Sequence, residues 1–244
     1  MPGGFFRVWV NAFMPPSAHS VRQVAIVRKA ASAPDLLLLL SLLLLILLSP
    51  VLDRGDLRRL ILTALTFIPV ILATIQLAEK RHWLWPSLLL ASLALVFGVT
   101  GTISHHHLLV TLKWGTLAAF FGLTVVGLFS YLRKARSIQP SHLYTAVSVY
   151  LLLGMLWFAL YATLDAASPG SFQHSNRAIA NRESELLYFS LVTLTTVGYG
   201  DIVPLADEAR MLAALEGVVG VLYVAITVAI LVSGLKRPDS SLAE

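Results

Sequence analysis

The sequence predicts an all-α membrane protein with six transmembrane helices and a short re-entrant helix between the fifth and sixth. Composition is the first reason. Residues of the AVILMFWYC set make up 57% of the 244 positions and charged residues only 13%, against about 45–50% and about 25% in a soluble domain. The second is a mean hydropathy of +0.79. The third is the arrangement of apolar residues in long runs. The same composition excludes intrinsic disorder. Eighteen Lys and Arg, with a net charge of +5, are too diluted among apolar runs for a nucleic-acid binder. The chain has no cysteine, which removes disulfides, thiol catalysis and Cys-ligated metal.

A bilayer core of about 30 Å needs about 20 apolar residues per helix. Runs at 36–52, 60–78, 83–101, 108–132 and 143–164 meet this or nearly so, and a sixth at 211–235 carries one acid, Glu216. The first run lies behind basic residues, as in a signal peptide. It reads as a span because Ser49-Pro50-Val51-Leu52-Asp53 follows it instead of a small-residue cleavage site. The apolar run 186–194 is too short to cross at about 1.5 Å per residue, so it predicts a re-entrant half-helix. Of the 18 basic residues, eleven fall on the side of the two termini, six on the opposite side, and Lys113 inside the fourth span. The positive-inside rule then places both termini in the cytoplasm of a multi-pass protein. Residues 1–34, with Pro15-Pro16, read as a cytoplasmic tail. Residues 35–137 read as a four-helix unit, and 238–244 as a short cytoplasmic tail.

Residues 193–201 read Thr-Leu-Thr-Thr-Val-Gly-Tyr-Gly-Asp, placed after the short apolar run and before a long one. Thr-Val-Gly-Tyr-Gly at 196–200 matches the potassium-channel signature without a substitution, and roughly the last hundred residues resemble that family. The resemblance implies a pore domain over 138–237: outer helix 142–164, pore helix 184–195, selectivity filter 196–200 and inner helix 208–235. It implies that the carbonyls of Thr196, Val197, Gly198 and Tyr199 bind K+, that the Thr196 hydroxyl adds the innermost ligands, and that Gly200 sits at the outer mouth. Potassium is then the permeant ion and no cofactor is required.

The physics fits that word. Dehydrated K+ needs several equivalent oxygens that are strong dipoles without net charge, which backbone carbonyls supply. Aligning them demands near left-handed geometry at alternate positions, which glycine adopts cheaply, so Gly198 and Gly200 carry it. Val197 and Tyr199 are expected to pack outward against the pore helix, with Thr195 and Asp201 as supports. Asp201 adds negative potential at the mouth and is a candidate hydrogen-bond partner behind the filter. Glu183 and Glu185 suit the N-terminus of the half-helix, and its C-terminal end presents partial negative charge to a cation. One such loop cannot surround an axis, so the resemblance implies a homotetramer in the lipid bilayer of the plasma (cell inner) membrane.

Gly220 stands where the family places its hinge glycine, and Gly217 is a second candidate; the competing reading of either is close helix packing. Glu216, an acid inside a span, reads as a gating or ion-attracting group or as a structural carboxylate bonded to the pore helix or an adjacent subunit, the latter favoured. The fourth span departs from a voltage-gated channel. A sensor needs about 3–4 gating charges, and this span has only Lys113, so weak or no voltage dependence is expected. Lys113 is expected to snorkel to the outer interface, and Trp83, Trp85 and Trp114 to act as interfacial anchors. His105-His106-His107 reads as a polar outer loop rather than a metal site.

Alternatives are a weakly selective cation channel, a transporter-type potassium pathway, a voltage-gated channel with a cryptic sensor, and a conduction-dead regulatory subunit. The remote one is an intramembrane aspartyl protease, since Gly198-Tyr199-Gly200-Asp201 spells that family's Gly-x-Gly-Asp. Its second acid would be Asp165, which the sequence places at the surface, and residues 204–206 read Pro-Leu-Ala where that family has Pro-Ala-Leu.

Overall fold

The computed structural model describes residues 34–49, 66–76, 81–104, 107–134, 139–174 and 182–235. Residues 1–33, His105, His106 and the 238–244 tail lie outside the described residues. The described elements are helices α1 (Pro34–Leu48) and α2 (Thr66–Gln76), followed by α3 (Arg81–Ser104), α4 (His107–Lys134), α5 (Pro140–Ala167), strand β1 (Phe172–His174), α6 (Arg182–Leu194), strand β2 (Ile202–Pro204) and α7 (Asp207–Leu235).

Four of these helices, α3, α4, α5 and α7, are long and apolar enough to cross a membrane. The described parts of α1 and α2 are shorter, so among the described residues four candidate spans stand where the sequence predicts six. At about 1.5 Å per residue, the 13 residues of α6 reach well short of a bilayer core. α1 opens with proline at its first helical position, where the missing N–H costs nothing. The Gln76 side-chain amide at the end of α2 donates to the Pro34 carbonyl at 2.9 Å.

α5 is bounded by local chemistry. Gln139 is extended and Pro140 occupies the first turn. The Gln139 backbone N–H donates to His142 Nδ1 at 3.0 Å, and the His142 ring stacks on Tyr131 at 5.2 Å. At the other end Ser168 N–H donates to the Leu164 carbonyl at 2.8 Å, and Gly170 reverses the chain at φ +93°, a region that glycine enters without steric cost. β1 and β2 then pair antiparallel, with Phe172 opposite Pro204, Gln173 opposite Val203 and His174 opposite Ile202.

α4 packs along α5, α3 packs along α4, and α6 lies against both α5 and α7. The core runs through α4 and α5: Phe120, Phe121, Val149, Leu152, Met155 and Tyr161 are all fully buried. Trp114 belongs to it. Its ring is buried and meets Phe158 edge-on at 5.0 Å, an arrangement worth about 0.5–1.5 kcal/mol beyond area burial. The expectation of an interfacial anchor is therefore corrected for Trp114, because α5 covers it; Trp85, 69% exposed, stays on the surface.

The Lys113 ammonium takes partners within the chain. It lies over the Trp114 ring, 4.1 Å from the centroid, and 3.8 Å from Glu183 Oε1. A cation on an apolar helix lowers its cost by meeting an acid and an aromatic face. His107, expected in a loop, is the first residue of α4.

α7 differs from α5 in what covers it. Only 17% of its apolar stretch is buried within the chain, against 61% for α5. Val218, Val221, Leu222, Val224, Ile226 and Val228 are exposed.

Candidate functional site

The site begins where α6 ends. Glu183 and Glu185 occupy the first turn of this helix, where the helix dipole favours acids. Five polar ties fix it from outside. Arg182 pairs with Asp165 of α5 at 2.5 Å. Glu183 pairs with Lys113 of α4. Ser190 Oγ lies 2.6 Å from Glu216 Oε1 of α7 and 2.8 Å from the Gly154 carbonyl oxygen of α5. The Tyr150 hydroxyl donates to the Leu194 carbonyl at 3.2 Å, satisfying one of the carbonyls that a helix end leaves without a partner.

Beyond Leu194 the backbone hooks over the helix end. Thr196 N–H donates to the Thr193 carbonyl at 2.9 Å, and the N–H groups of Val197 and Gly198 both donate to the Val192 carbonyl, at 2.9 and 3.3 Å. Positive φ then recurs at alternate residues: Thr196 at 60°, Gly198 at 53° and Gly200 at 74°. The glycines stand where left-handed geometry is cheap. Thr196 adopts it without that freedom, which for a β-branched residue is a strained conformation; the sequence reading does not anticipate it.

The N–H groups of this hook face the helix, and its carbonyls have no such partner. Among the described residues, no hydrogen-bond donor meets the carbonyls of 196–200. Backbone oxygens without a donor in their own chain are open to a partner from outside it. All five residues are exposed. Thr196 and Gly198 border an open groove of about 630 Å³, lined by them and Thr193 on one side and by Ala213, Gly217 and Val221 of α7 on the other.

Asp201 closes the segment. Its Oδ2 accepts from the Tyr188 hydroxyl at 2.9 Å, and its Oδ1 accepts from Ile202 N–H at 3.1 Å. The Tyr188 phenol is pushed up to about 12 by desolvation, then by the hydrogen bond and charge of Asp201, so it remains a donor throughout the neutral range.

Several sequence expectations change here. Val197 and Tyr199, expected to pack against the pore helix, are 52% and 71% exposed in the single chain. The Thr195 hydroxyl bonds back to the Leu191 carbonyl of its own helix at 2.7 Å rather than supporting 196–200. Gly220 is a contact glycine: a Cβ there would collide with the Leu194 carbonyl oxygen. Gly217 has more room: a Cβ there would stand 4.0 Å from the Thr193 carbonyl oxygen. α7 runs unbroken past both.

Glu216 is fully buried, between Ser190 and the Tyr161 hydroxyl, 2.5 Å from Oε2. Asp165, expected at the surface, is buried and held by Arg182. With Asp201 engaged by Tyr188, neither acid stands ready for the shared-proton dyad of an aspartyl protease. The partners Tyr161, Ser190, Tyr188, Arg182 and Lys113 are absent from the sequence reading of the site. Ser190 is signalled only as a polar residue inside an apolar run.

Comparisons with known proteins agree with this region. An ion-channel family model matches residues 145–237. Over 80 residues, 33% of this chain and 20% of the relative, the chain is 41% identical to two pore potassium channel a of Oryza sativa subsp. japonica. It is 33% identical over 88 residues to the human voltage-gated potassium channel KCNC3, covering 35% of this chain and 12% of that protein. It is 27% identical over 89 residues to the inward rectifier potassium channel Kirbac3.1 of Paramagnetospirillum magnetotacticum, covering 36% and 26%. The chain thus spans about a fifth of the length of the rice relative. No solved structure matches it significantly. From α5 to the end of α7 the chain is thus similar to ion channels, and the relatives it matches there are potassium channels.

Proposed function

We propose that the chain is a potassium-selective channel subunit that conducts K+ passively through a homotetrameric pore. The observation that carries this is the unpaired carbonyl run of 196–200 with positive φ at alternate residues. Four copies around an axis give those oxygens a dehydrated K+ to bind. In this reading α6 is the re-entrant pore helix, α5 and α7 are the outer and inner helices of the pore domain, and 196–200 is the filter.

Three further observations support the assembly. Val197 and Tyr199 are exposed in the single chain, and a neighbouring subunit gives them something to brace against. The groove between 196–198 and α7 is apolar on its helix side. α7 leaves most of its apolar surface uncovered. Weak or absent voltage dependence follows from a fourth helix whose one basic residue short of its cytoplasmic end, Lys113, is engaged by Glu183. Six spans, cytoplasmic termini and residence in the plasma (cell inner) membrane complete the reading.

The test is flux through purified protein in liposomes, with Na+ as competitor and the voltage stepped. K+-selective flux with shallow voltage dependence is expected. Equal K+ and Na+ flux overturns the filter assignment, and steeply voltage-dependent flux overturns the reading of α4.

A further inference from the structure

Glu216 sits at the junction of three helices, and if it is a carboxylate the single hydrogen of Ser190 must serve two short contacts. Ser190 Oγ lies 2.8 Å from the Gly154 carbonyl oxygen and 2.6 Å from Glu216 Oε1. Both are hydrogen-bond distances, and the serine hydroxyl has one hydrogen to donate. If Ser190 donates to Gly154, the short contact to Glu216 needs its hydrogen from the other side. Only the carboxyl group can supply it. The second oxygen is served separately, by the Tyr161 hydroxyl at 2.5 Å.

We propose that Glu216 is held as the neutral carboxylic acid and is a hydrogen-bond donor that fastens α7 to α6. One directed chain results. Glu216 O–H donates to Ser190 Oγ, Ser190 O–H donates to the Gly154 carbonyl, and Tyr161 O–H donates to the Glu216 carbonyl oxygen. Each donor and acceptor is used once, and α5, α6 and α7 are joined. With the proton removed, Ser190 either releases Gly154 to serve the carboxylate or leaves Oε1 unpaired.

The surroundings agree. Glu216 has no exposed surface, and a buried charge is retained only when paired. Of the elements packed against α7, α5 presents Tyr161 and Tyr150, and further on Asp165, which Arg182 occupies. α6 carries Glu183, paired with Lys113, and Glu185; β2 contributes no titratable group. On α7 itself Arg210 pairs with Asp207, and the Tyr223 hydroxyl donates to the Ala146 carbonyl. Among the described residues no cation forms an ion pair with Glu216. Ser190 stands one helical turn before Leu194, where α6 gives way to 196–200, so the state of this proton bears on the placement of that segment.

The deciding experiment is infrared difference spectroscopy of the full chain in liposomes, wild type against Glu216→Gln. A protonated-carboxyl carbonyl band present in wild type and lost in the variant is expected; its absence from wild type overturns the proposal. Glutamine reproduces the directed chain, since its amide N–H replaces the acid O–H toward Ser190. Alanine does not. Glu216→Gln should therefore keep at least about tenfold more K+ flux than Glu216→Ala, and equal damage in the two overturns the donor role. The flux comparison rests on the channel reading and the infrared band does not. A silent wild type would count against that reading while the band still decides the proton.

Discussion

Gly220 of α7 lies directly against the carbonyl of Leu194, the last residue of α6. The contact is backbone on backbone, so no rotamer change can relieve an added methyl. Gly220→Ala must push α7 away from the point where α6 hands over to 196–200. Overpacking of this kind costs about 1–3 kcal/mol. Gly217→Ala meets only an ordinary van der Waals distance and gains helix propensity, up to about 1 kcal/mol. Thermal unfolding in detergent should show a lower midpoint for Gly220→Ala and an equal or higher one for Gly217→Ala. A flexible hinge at Gly220 with no packing role predicts no such loss.

Gly198 holds φ +53° in open space, so its requirement is conformational rather than steric. Alanine there pays about 1–2 kcal/mol for left-handed geometry and relaxes by turning its neighbouring peptide. Gly198→Ala should therefore fold but lose K+ over Na+ discrimination in liposome flux. Tyr199→Ala should do the same by removing the spacer. Unchanged selectivity in both would refute the assignment of 196–200.

Lys113 and Glu183 join the fourth helix to the first turn of α6. Glu183 is half-exposed, so the pair is worth no more than about 1 kcal/mol. Lys113→Glu and Glu183→Lys should each lower stability by that order, and the combined swap should recover most of it. Additive losses in the double variant would show that the two charges do not act on each other.

The Tyr188–Asp201 bond should carry an alkaline signature. The phenol's folded value, about 12, is raised above its ordinary 10. Its contribution is complete below pH 10, where the phenol is protonated in both folded and unfolded chains, and is lost as pH rises from 10 through 12. Tyr188→Phe should lower stability at neutral pH and flatten the decline in that window. A variant that follows the wild-type curve throughout would remove Asp201 from the partners of Tyr188.

The helices and the channel word were legible in the sequence because both are local: apolar runs declare buried length, and 193–201 is consecutive. The positive φ at Thr196 was not, since nothing in a threonine advertises it. The partners of Lys113 and Trp114 were not legible, because a position near the end of an apolar run shows nothing of its neighbours. Those neighbours, Glu183 and Phe158, lie far along the chain. The Tyr161–Glu216–Ser190 junction was hidden for the same reason, its contacts spanning 55 and 26 residues.

The two three-residue strands give the chain a further property. By pairing Phe172 with Pro204 and His174 with Ile202, they bring the start and finish of 172–204 to one place on the rim. Everything between, α6 and the carbonyl run included, leaves and returns through a single doorway. The part that would discriminate between ions is thus an insert closed at its own base by backbone pairing. Its seat is set separately, by the side chains of Lys113, Asp165 and Glu216 on the surrounding helices.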